Sequence, residues 1–330
     1  MRGEAGGSRL VRSWEGRVMT LFGAATGGYT RELDDGRRLD VRWGAATDTG
    51  RVRERNEDSI VASAAVCAIA DGMGGHEAGD RASAAIAGAL AEVPELPAPR
   101  HIYAALQRAS LDIERISTAS GGQSGSTVTG VAFGVFDGEP GWLVFNIGDS
   151  RVYSLHGDQL TQITHDHSVV QGLIDTGQIS EADAERHPAR NSITRAVGFS
   201  MDPRPDFWHL NLVPRLRLLV CSDGLTKELE VDQVAALLAE HAEPEKAARA
   251  LVDAALEHGG RDNVSVIVVD SVATAPTDAP AVSTAEEPSA PHAPDEVATE
   301  AGAGATGEPG GIGGATAVPG PASAEAADEA

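Results

Sequence analysis

The stretch Ala64-Ala-Val-Cys-Ala-Ile-Ala-Asp-Gly-Met-Gly-Gly-His76 joins an apolar run to an aspartate and a group of glycines. The run is typical of a buried strand. It ends at Asp71, where glycines make the backbone unusually free. Aspartate and glycine are common turn residues, so this stretch alone also fits an ordinary turn. The deciding question is whether other strands end in the same way.

Four more segments place acidic residues at the ends of apolar runs. They are RVRERNEDS (51–59), IGDSR (147–151), CSDG (221–224) and GGRDNVSVIVV (259–269), with acids at Glu57, Asp58, Asp149, Asp223 and Asp262. Carboxylates that cluster without compensation repel one another. Mg²⁺ and Mn²⁺ prefer carboxylate, carbonyl and water ligands, and no Cys/His spacing indicates zinc. The pattern therefore predicts a divalent-cation site where these strand ends meet.

Composition divides the 330 residues into three parts. Residues 1–39 are rich in Gly and Arg and are predicted to be a poorly ordered N-terminal extension, with either Met1 or Met19 as the start. Residues 40–270 are expected to form the folded domain. Residues 271–330 are rich in Ala, Pro and Gly and carry ten acids but no Lys, Arg or aromatic residue. Such a tail buries too little apolar surface to fold, so disorder is predicted.

Charge and hydropathy exclude several classes of function. The net charge of −23 argues against binding to a nucleic-acid backbone as the main task. No apolar run approaches the length of a membrane span, and no signal peptide is recognisable. The cysteines, Cys67 and Cys221, both lie in strand-like runs. They are expected to be buried free thiols rather than a disulfide, which indicates a cytoplasmic protein.

Strand and helix patterns alternate between residues 40 and 270. The predicted strands are 41–47, 66–70, 127–136, 142–147, 151–155, 207–212, 216–222 and 264–269. The predicted helices are 77–91, 102–117, 231–240 and 245–257. Short turns such as DGEPG join consecutive strands, which favours antiparallel pairing. Two antiparallel sheets with helices on their outer faces would account for this mixture.

Eight motifs occur in an order that resembles a known family. They are RERNEDS, ADGMGGH, SGSTV, NIGDSR, THDHS, NSITRAVG, CSDGL and GGRDNVSV, and they span about residues 41–270. In this order they are similar to the metal-dependent Ser/Thr protein phosphatases of the 2C type (PPM family), in particular the bacterial branch. The resemblance implies an α+β fold: a four-layer α/β/β/α sandwich with two central antiparallel β-sheets flanked by helices.

The resemblance also implies roles for individual residues. Asp71 would bridge two metal ions, Gly72 would offer its carbonyl, and Asp223 and Asp262 would bind one ion. Glu57 and Asp58 would be direct or water-mediated metal ligands on the other side of the site. Asp149 with Asp223 would hold a third ion more loosely. Arg53 would grip the substrate phosphate, with Arg51 and Arg55 as competing choices. The implied catalytic residues are Arg53, Asp71 and Asp223.

The implied activity is hydrolysis of phosphoserine and phosphothreonine monoesters by a hydroxide that bridges two Mn²⁺ or Mg²⁺ ions. The implied partners are phosphorylated proteins, namely a Ser/Thr kinase and its substrates, with the enzyme acting as a monomer. Two alternatives stay open. One is a non-catalytic phosphoprotein-binding relative, and the other is a two-metal phosphodiesterase.

Two positions depart from the family pattern. Met73 stands where many relatives carry a histidine proposed as general acid. The nearby His76 is either a surface residue at the start of a helix or a substitute for that general acid. Lys227 stands where relatives often have an acid near the third ion, so a third ion would bind weakly. His165, Asp166 and His167 begin a segment, about 165–193, that matches the family's flap. They are expected to orient this loop or to line the substrate groove rather than to bind metal.

Overall fold

The central strands are apolar on both faces because the molecule has four layers and each sheet is covered on both sides. The computed structural model describes residues 9–14, 17–74, 78–136, 138–157, 159–274 and 316–318. In strand Glu139–Ile147, for example, Leu143 and Phe145 pack under helices, whereas Trp142 and Val144 pack between the sheets. Continuous burial of this kind explains the unbroken apolar runs in the sequence.

The strands and helices alternate along the chain. The strands are β1 (Arg9–Trp14), β2 (Arg17–Gly23), β3 (Thr26–Glu32), β4 (Arg38–Asp48), β5 (Asp58–Ala62), β6 (Cys67–Gly74), β7 (Ser124–Ser126), β8 (Val128–Phe136), β9 (Glu139–Ile147), β10 (Arg151–His156), β11 (Gln159–Gln162), β12 (Asp206–Asn211), β13 (Arg215–Cys221), β14 (Val264–Thr274) and β15 (Thr316–Val318). The helices are α1 (Ala78–Leu90), α2 (Pro99–Ser120), α3 (Val169–Asp175), α4 (Glu181–Ala184), α5 (Asp223–Thr226), α6 (Val231–Glu240) and α7 (Pro244–His258).

Two sheets form the centre of the molecule. The first has the order β1-β2-β5-β6-β8-β9-β12-β15, with β7 paired to β6, and the second has the order β11-β10-β13-β14-β4-β3. Among the described strands the pairs are antiparallel except β2 with β5. Helices α1 and α2 cover the first sheet through a core that includes Ile86 and Leu106. Helices α6 and α7 cover the second through Leu238 and Leu251. The predicted α+β sandwich of two antiparallel sheets is confirmed.

The hairpin predicted from DGEPG is also present. Strands β8 and β9 pair out to Phe136 opposite Glu139, and Gly138 has a φ of +88°. A positive φ at this point is accessible to glycine at little cost, which permits a tight turn. The eight predicted strands and four predicted helices all occur. Most of their ends lie within a few residues of the predicted ends.

The prediction of a poorly ordered extension over residues 1–39 is wrong for the part that the structure describes. Strand β2 pairs with β5 in the first sheet and β3 pairs with β4 in the second. Leu21 is fully buried between the sheets. Burying a leucine contributes about 2 kcal/mol, so this segment belongs to the domain. Its short strands and many glycines concealed the pattern.

The predicted boundary at residue 270 falls inside a strand. Strand β14 continues to Thr274, and the buried Ser271 hydroxyl accepts a hydrogen bond from Trp142 Nε1 at 3.3 Å. The rest of the tail predicted to be disordered lies outside the described residues except for β15, which pairs with β12. The cysteine prediction holds: Cys67 and Cys221 are buried free thiols.

Candidate metal centre

The loop that carries the chain from the second sheet to the first, residues 49–57, is held by Asn263. The Asn263 amide donates to the carbonyl oxygens of Thr49 and Arg55, each at 2.8 Å. Its Oδ1 accepts from the backbone N–H of Glu57 at 2.8 Å. Asn263 is buried, so these three bonds fix the position of the loop.

Two aspartates of the first sheet lie side by side where this loop ends. Asp58 at the start of β5 is the register partner of Asp71 in β6. The backbone N–H of Asp71 donates to Thr127 Oγ1 at 3.2 Å, and its carbonyl accepts from the Thr127 N–H at 2.9 Å. Thr127 Oγ1 lies 2.9 Å from Ser150 Oγ. Thr127 therefore satisfies backbone groups at the strand end and holds Asp71 in place.

Asp58 connects the two sheets. Its Oδ2 accepts a hydrogen bond from the Ser222 hydroxyl at 2.9 Å, and Ser222 Oγ accepts from the backbone N–H of Ser265 at 2.9 Å. All three residues are buried. The end of β13 and the start of β14 are thereby joined to the carboxylate of β5.

Asp223 and Asp262 supply the carboxylates of the second sheet. Asp223 follows β13 and begins the short helix α5, and Asp262 lies just before β14. Lys227 Nζ forms an ion pair with Asp223 Oδ2 and a 3.3 Å bond with Asp262 Oδ2. Arg53 Nη2 lies 2.9 Å from Asp262 Oδ1. Both oxygens of Asp262 thus face a cationic side chain.

Asp149 follows a tightly held glycine. Gly148 has a φ of +114°, and a Cβ at this position would lie 2.5 Å from Thr127 Cγ2. The Gly148 N–H donates to His167 Nδ1 at 3.1 Å, and its carbonyl accepts from the His167 N–H at 2.9 Å. These contacts therefore fix the backbone from which the side chain of Asp149 extends.

Glu57 and Gly72 meet the start of α1. The Gly72 N–H donates to the Glu57 carbonyl at 3.1 Å. A Cβ on Gly72 would lie 2.1 Å from the carbonyl oxygen of Gly79, which explains why glycine is required. The Glu57 carboxylate lies against Gly79, since a Cβ there would be 2.6 Å from Glu57 Oε1. The nearby carboxylate of Asp80 contributes to raising the pKa of Glu57, after the larger effect of burial.

Burial and the charges of neighbouring carboxylates both disfavour the ionised form of these aspartates. Burial raises the pKa of Asp58 to about 7, and it raises that of Asp149 to about 7 with help from the charge of Asp223. Burial also raises the pKa of Asp71 well above its ordinary value, and the charges of Asp58 and Asp223 add to the effect. In the ion-free protein the negative charge of the site is therefore only partly compensated, by Lys227 and Arg53.

Two carboxylate oxygens of the predicted ligands have no hydrogen-bond partner. They are Asp58 Oδ1 and Asp223 Oδ1, and both atoms are buried. An unpaired buried carboxylate oxygen is costly, and a divalent cation would offset that cost. The all-oxygen donor set fits Mn²⁺ or Mg²⁺ rather than zinc. The predicted ligands are thus compatible with the metal that the resemblance implies.

These carboxylates do not converge on one point as they stand. Among the described residues no three acidic, histidine or cysteine side chains are arranged to hold one ion. In this arrangement Asp223 and Asp262 pair with Lys227, and Asp262 also pairs with Arg53. Binding of a cation would require side chains to exchange these partners.

Arg53 is an arginine of the loop that contacts one of the candidate metal ligands. Its guanidinium pairs with Asp262 and its side chain is 49% exposed, so it is accessible to a ligand. Arg51 instead donates from Nε to the carbonyl of Leu256 at 2.7 Å, away from the carboxylates. This geometry favours Arg53 over Arg51 for binding a phosphate.

The three residues at 165–167 support their loop. Arg151 Nε and Nη2 bind both carboxylate oxygens of Asp166 at 2.7–3.0 Å. His167 Nε2 lies 2.9 Å from Asp206 Oδ2, and Arg195 Nη1 lies 2.9 Å from Asp206 Oδ1. The polar atoms of Asp166 and His167 are engaged in this way, which is compatible with a role in positioning the loop. His165 pairs with Asp175 at 3.1 Å.

Sequence reasoning missed several residues that organise the site. Asn263 and Ser222 lie within quoted motifs, but nothing in their local pattern indicated which backbone groups they would bind. Asp80 was missed although its Oδ1 is buried without a partner. Met73 is half-buried beside β7. Gly75 and His76 lie outside the described residues.

Comparison with known proteins identifies the family. The family profile described as Protein phosphatase 2C matches residues 50–258. The chain belongs to the protein phosphatase 2C family. Its phosphatase 2C relatives include the serine/threonine protein phosphatase PstP of Mycobacterium tuberculosis, 37% identical over 71% of this chain and 46% of that protein. The serine/threonine phosphatase Stp of Listeria monocytogenes is 32% identical over 68% of this chain and 93% of that protein.

A solved structure of the protein phosphatase 2C family supports the fold. The catalytic domain of PstP, crystallised with two manganese ions, is 35% identical and superposes with a TM-score of 0.63. The match covers 71% of this chain and 99% of that one. The chain spans about half the length of the full PstP sequence that it matches. In the described part, no helix is long and apolar enough to span a membrane.

Proposed function

We propose that this chain is a metal-dependent protein phosphatase that hydrolyses phosphoserine and phosphothreonine monoesters. One observation carries the proposal: strand ends of both sheets bring carboxylates into one region, where Asp262 pairs with the half-exposed guanidinium of Arg53. A phosphate monoester is anionic, so a site for it needs both cations to hold its oxygens and carboxylates to hold those cations. Membership of the protein phosphatase 2C family supports the same activity.

The residues that would hold divalent ions come from several strand ends. They are Glu57, Asp58, Asp71, Gly72 through its carbonyl, Asp149, Asp223 and Asp262. Two Mn²⁺ or Mg²⁺ ions, when bound, would offset phosphate charge and lower the pKa of a coordinated water. A third ion between Asp149 and Asp223 would have to compete with the ammonium of Lys227.

The roles of the protein's own residues follow from their contacts. Arg53 presents a planar fork that binds two phosphate oxygens, in exchange for its contact with Asp262. Thr127 and Ser222 keep Asp71 and Asp58 in position. Met73 has no proton to donate, so protonation of the leaving oxygen depends on another donor.

The proposal extends to partners and setting. Phosphorylated proteins are the substrates, and a Ser/Thr kinase that acts on the same proteins is the opposing enzyme in a signalling pathway. We place the protein in the cytoplasm, where Cys67 and Cys221 would stay reduced, and expect it to act as a monomer.

The decisive experiment is phosphate release from a phosphothreonine peptide with Mn²⁺, with Mg²⁺ and with EDTA. Asp223→Asn should abolish turnover, whereas Asp232→Asn on the outside of α6 should not. A folded protein that binds the phosphopeptide without turnover would support a non-catalytic phosphoprotein-binding relative. Turnover of a phosphodiester in preference to the phosphopeptide would support a phosphodiesterase.

A further inference from the structure

Lys227 lies where the candidate metal centre would need a cation. It directly follows α5, and its Nζ contacts Asp223 Oδ2 and Asp262 Oδ2. The charge of Asp149 also acts on it. Asp223 and Asp262 are both among the proposed ligands. One ammonium therefore binds two carboxylates that a divalent ion would use.

The choice of lysine at this position is unusual for this chain. Only two of its 26 lysine and arginine residues are lysines, Lys227 and Lys246. A lysine ammonium is a compact point charge on a flexible stem, whereas a guanidinium is a wide planar fork. A compact, movable charge suits a position between two carboxylates better than a rigid one.

The contacts of this lysine are ionic. Its ammonium, charged at neutral pH, pairs with the carboxylates of Asp223 and Asp262, and its side chain is 35% exposed. Asp223 Oδ1 remains buried and without a hydrogen-bond partner. The lysine thus offsets part of the negative charge but leaves an oxygen that a metal ion could bind.

We propose that Lys227 is a tethered cation that occupies Asp223 and Asp262 in the ion-free protein and competes with divalent ions for them. The inference rests on the proposed metal centre. It has two consequences of opposite sign. The ion-free protein is stabilised because carboxylate repulsion is partly neutralised, and divalent ions bind more weakly because they must displace the lysine.

Amine footprinting of the unmodified sequence tests the displacement directly. The protein is treated with acetic anhydride in EDTA or in saturating Mn²⁺, and acetylation at each lysine is followed by peptide mass spectrometry. Lys246 is an internal control, because it forms an exposed pair with Glu243 at 3.2 Å on α7. We expect Mn²⁺ to accelerate labelling of Lys227 by about fivefold or more, since the ion takes its partners, and to leave Lys246 unchanged. Equal or slower labelling of Lys227 in Mn²⁺ would overturn the proposal.

Substitution tests the energetic consequences. Lys227→Met keeps an unbranched side chain, one atom shorter, and removes its charge, and Lys246→Met makes the same chemical change on the exposed helix. In calorimetric titration we expect Lys227→Met to bind Mn²⁺ about tenfold more tightly, because a unit charge is removed from a partly screened site. In EDTA the same variant should unfold at a lower temperature. Lys246→Met should change neither quantity.

The outcomes separate this proposal from the one on which it rests. If the wild type and Lys227→Met bind Mn²⁺ equally well, the metal centre stands and the competition is wrong. If neither protein binds Mn²⁺ or Mg²⁺, the metal centre itself is wrong. A Lys227→Met variant that is less stable in EDTA but gains no affinity would make Lys227 a structural residue only.

Discussion

Asp58 and Asp71 lie directly opposite each other in the neighbouring antiparallel strands β5 and β6. Like charges in such a pair destabilise a sheet, and here both residues belong to a site where burial disfavours charge. The Ser222 hydroxyl stabilises only one oxygen of Asp58. The ion-free fold therefore tolerates a local conflict that a bound cation would relieve.

Asp58→Asn should stabilise the ion-free protein and weaken its binding of Mn²⁺. The amide removes the repulsion and can still accept from Ser222, so we expect a gain of about 1–3 kcal/mol in the free energy of unfolding in EDTA. The Mn²⁺-induced rise in melting temperature should shrink. Asp270→Asn is the control of opposite sign, because Asp270 is paired with Arg217 at 2.6 Å. A loss of stability in Asp58→Asn would contradict the argument.

The stability of the ion-free protein should fall as pH rises from about 4 to 7. An unfolded Asp titrates near pH 3.9, whereas Asp58 and Asp149 hold their protons to a pKa of about 7 when folded. Between these values unfolding releases protons, so the contribution of these groups to stability decreases as pH increases. Urea unfolding in EDTA at several pH values measures the slope, which should be smaller in Asp149→Asn.

Affinity for Mn²⁺ should increase as pH rises, whereas the stability of the ion-free protein decreases. A carboxyl must lose its proton to bind a metal ion, so protons compete with the ion below a pKa of about 7. We expect the dissociation constant to fall by about tenfold between pH 6 and pH 8. Calorimetry in two buffers of different ionisation enthalpy would also detect the released protons. An affinity independent of pH would show that these carboxyls are not ligands.

Arg53→Ala should raise KM for a phosphopeptide more than it lowers kcat. A bidentate contact between arginine and phosphate contributes about 1.5–3 kcal/mol, or roughly one to two orders of magnitude in KM. Arg53→Lys should recover only part of this because it lacks the planar fork. Arg115→Ala, on the exposed face of α2, is the control. Unchanged KM in Arg53→Ala would point to another arginine, and Arg55 would be tested next.

Asn263→Ala should destabilise the protein and loosen the loop that carries Arg53. Three hydrogen bonds in a buried position are lost, which costs roughly 2–4 kcal/mol. Denaturant unfolding measures that cost, and hydrogen exchange over residues 49–57 should accelerate. Asn191→Ala removes an exposed side chain and should have little effect. Full protection of the loop in Asn263→Ala would contradict its role.

Gly72→Ala should be strongly destabilising although it adds one methyl group. The methyl would lie 2.1 Å from a backbone oxygen of Gly79 and 2.7 Å from that of Glu57, and backbone atoms cannot turn aside. We expect a loss of about 3 kcal/mol or more in thermal unfolding. In Gly172→Ala the added methyl meets no atom within 4 Å, and this variant should be neutral or slightly more stable.

Long apolar elements were predictable from local pattern alone. Strand β9 and strand β14 read as continuous apolar runs because both of their faces are covered. Helices α6 and α7 show apolar residues at helical spacing. In contrast, β5 and β7 have five and three residues, too few to show a period. Strand β3 alternates between half-buried and exposed positions at the edge of its sheet, and its glycines suggested a loop.

The fold class, the family and the acidic residues that end the central strands could be predicted from the sequence, because they depend on local order along the chain. The groups that those acids contact became visible only in the folded molecule. Asp58 lies opposite Asp71 through strand pairing, Asn263 binds a loop more than 200 residues away in sequence, and Lys227 lies between two proposed metal ligands. Such contacts depend on which strands pair and on how the two sheets pack against each other, and neither can be read from a local pattern in the sequence.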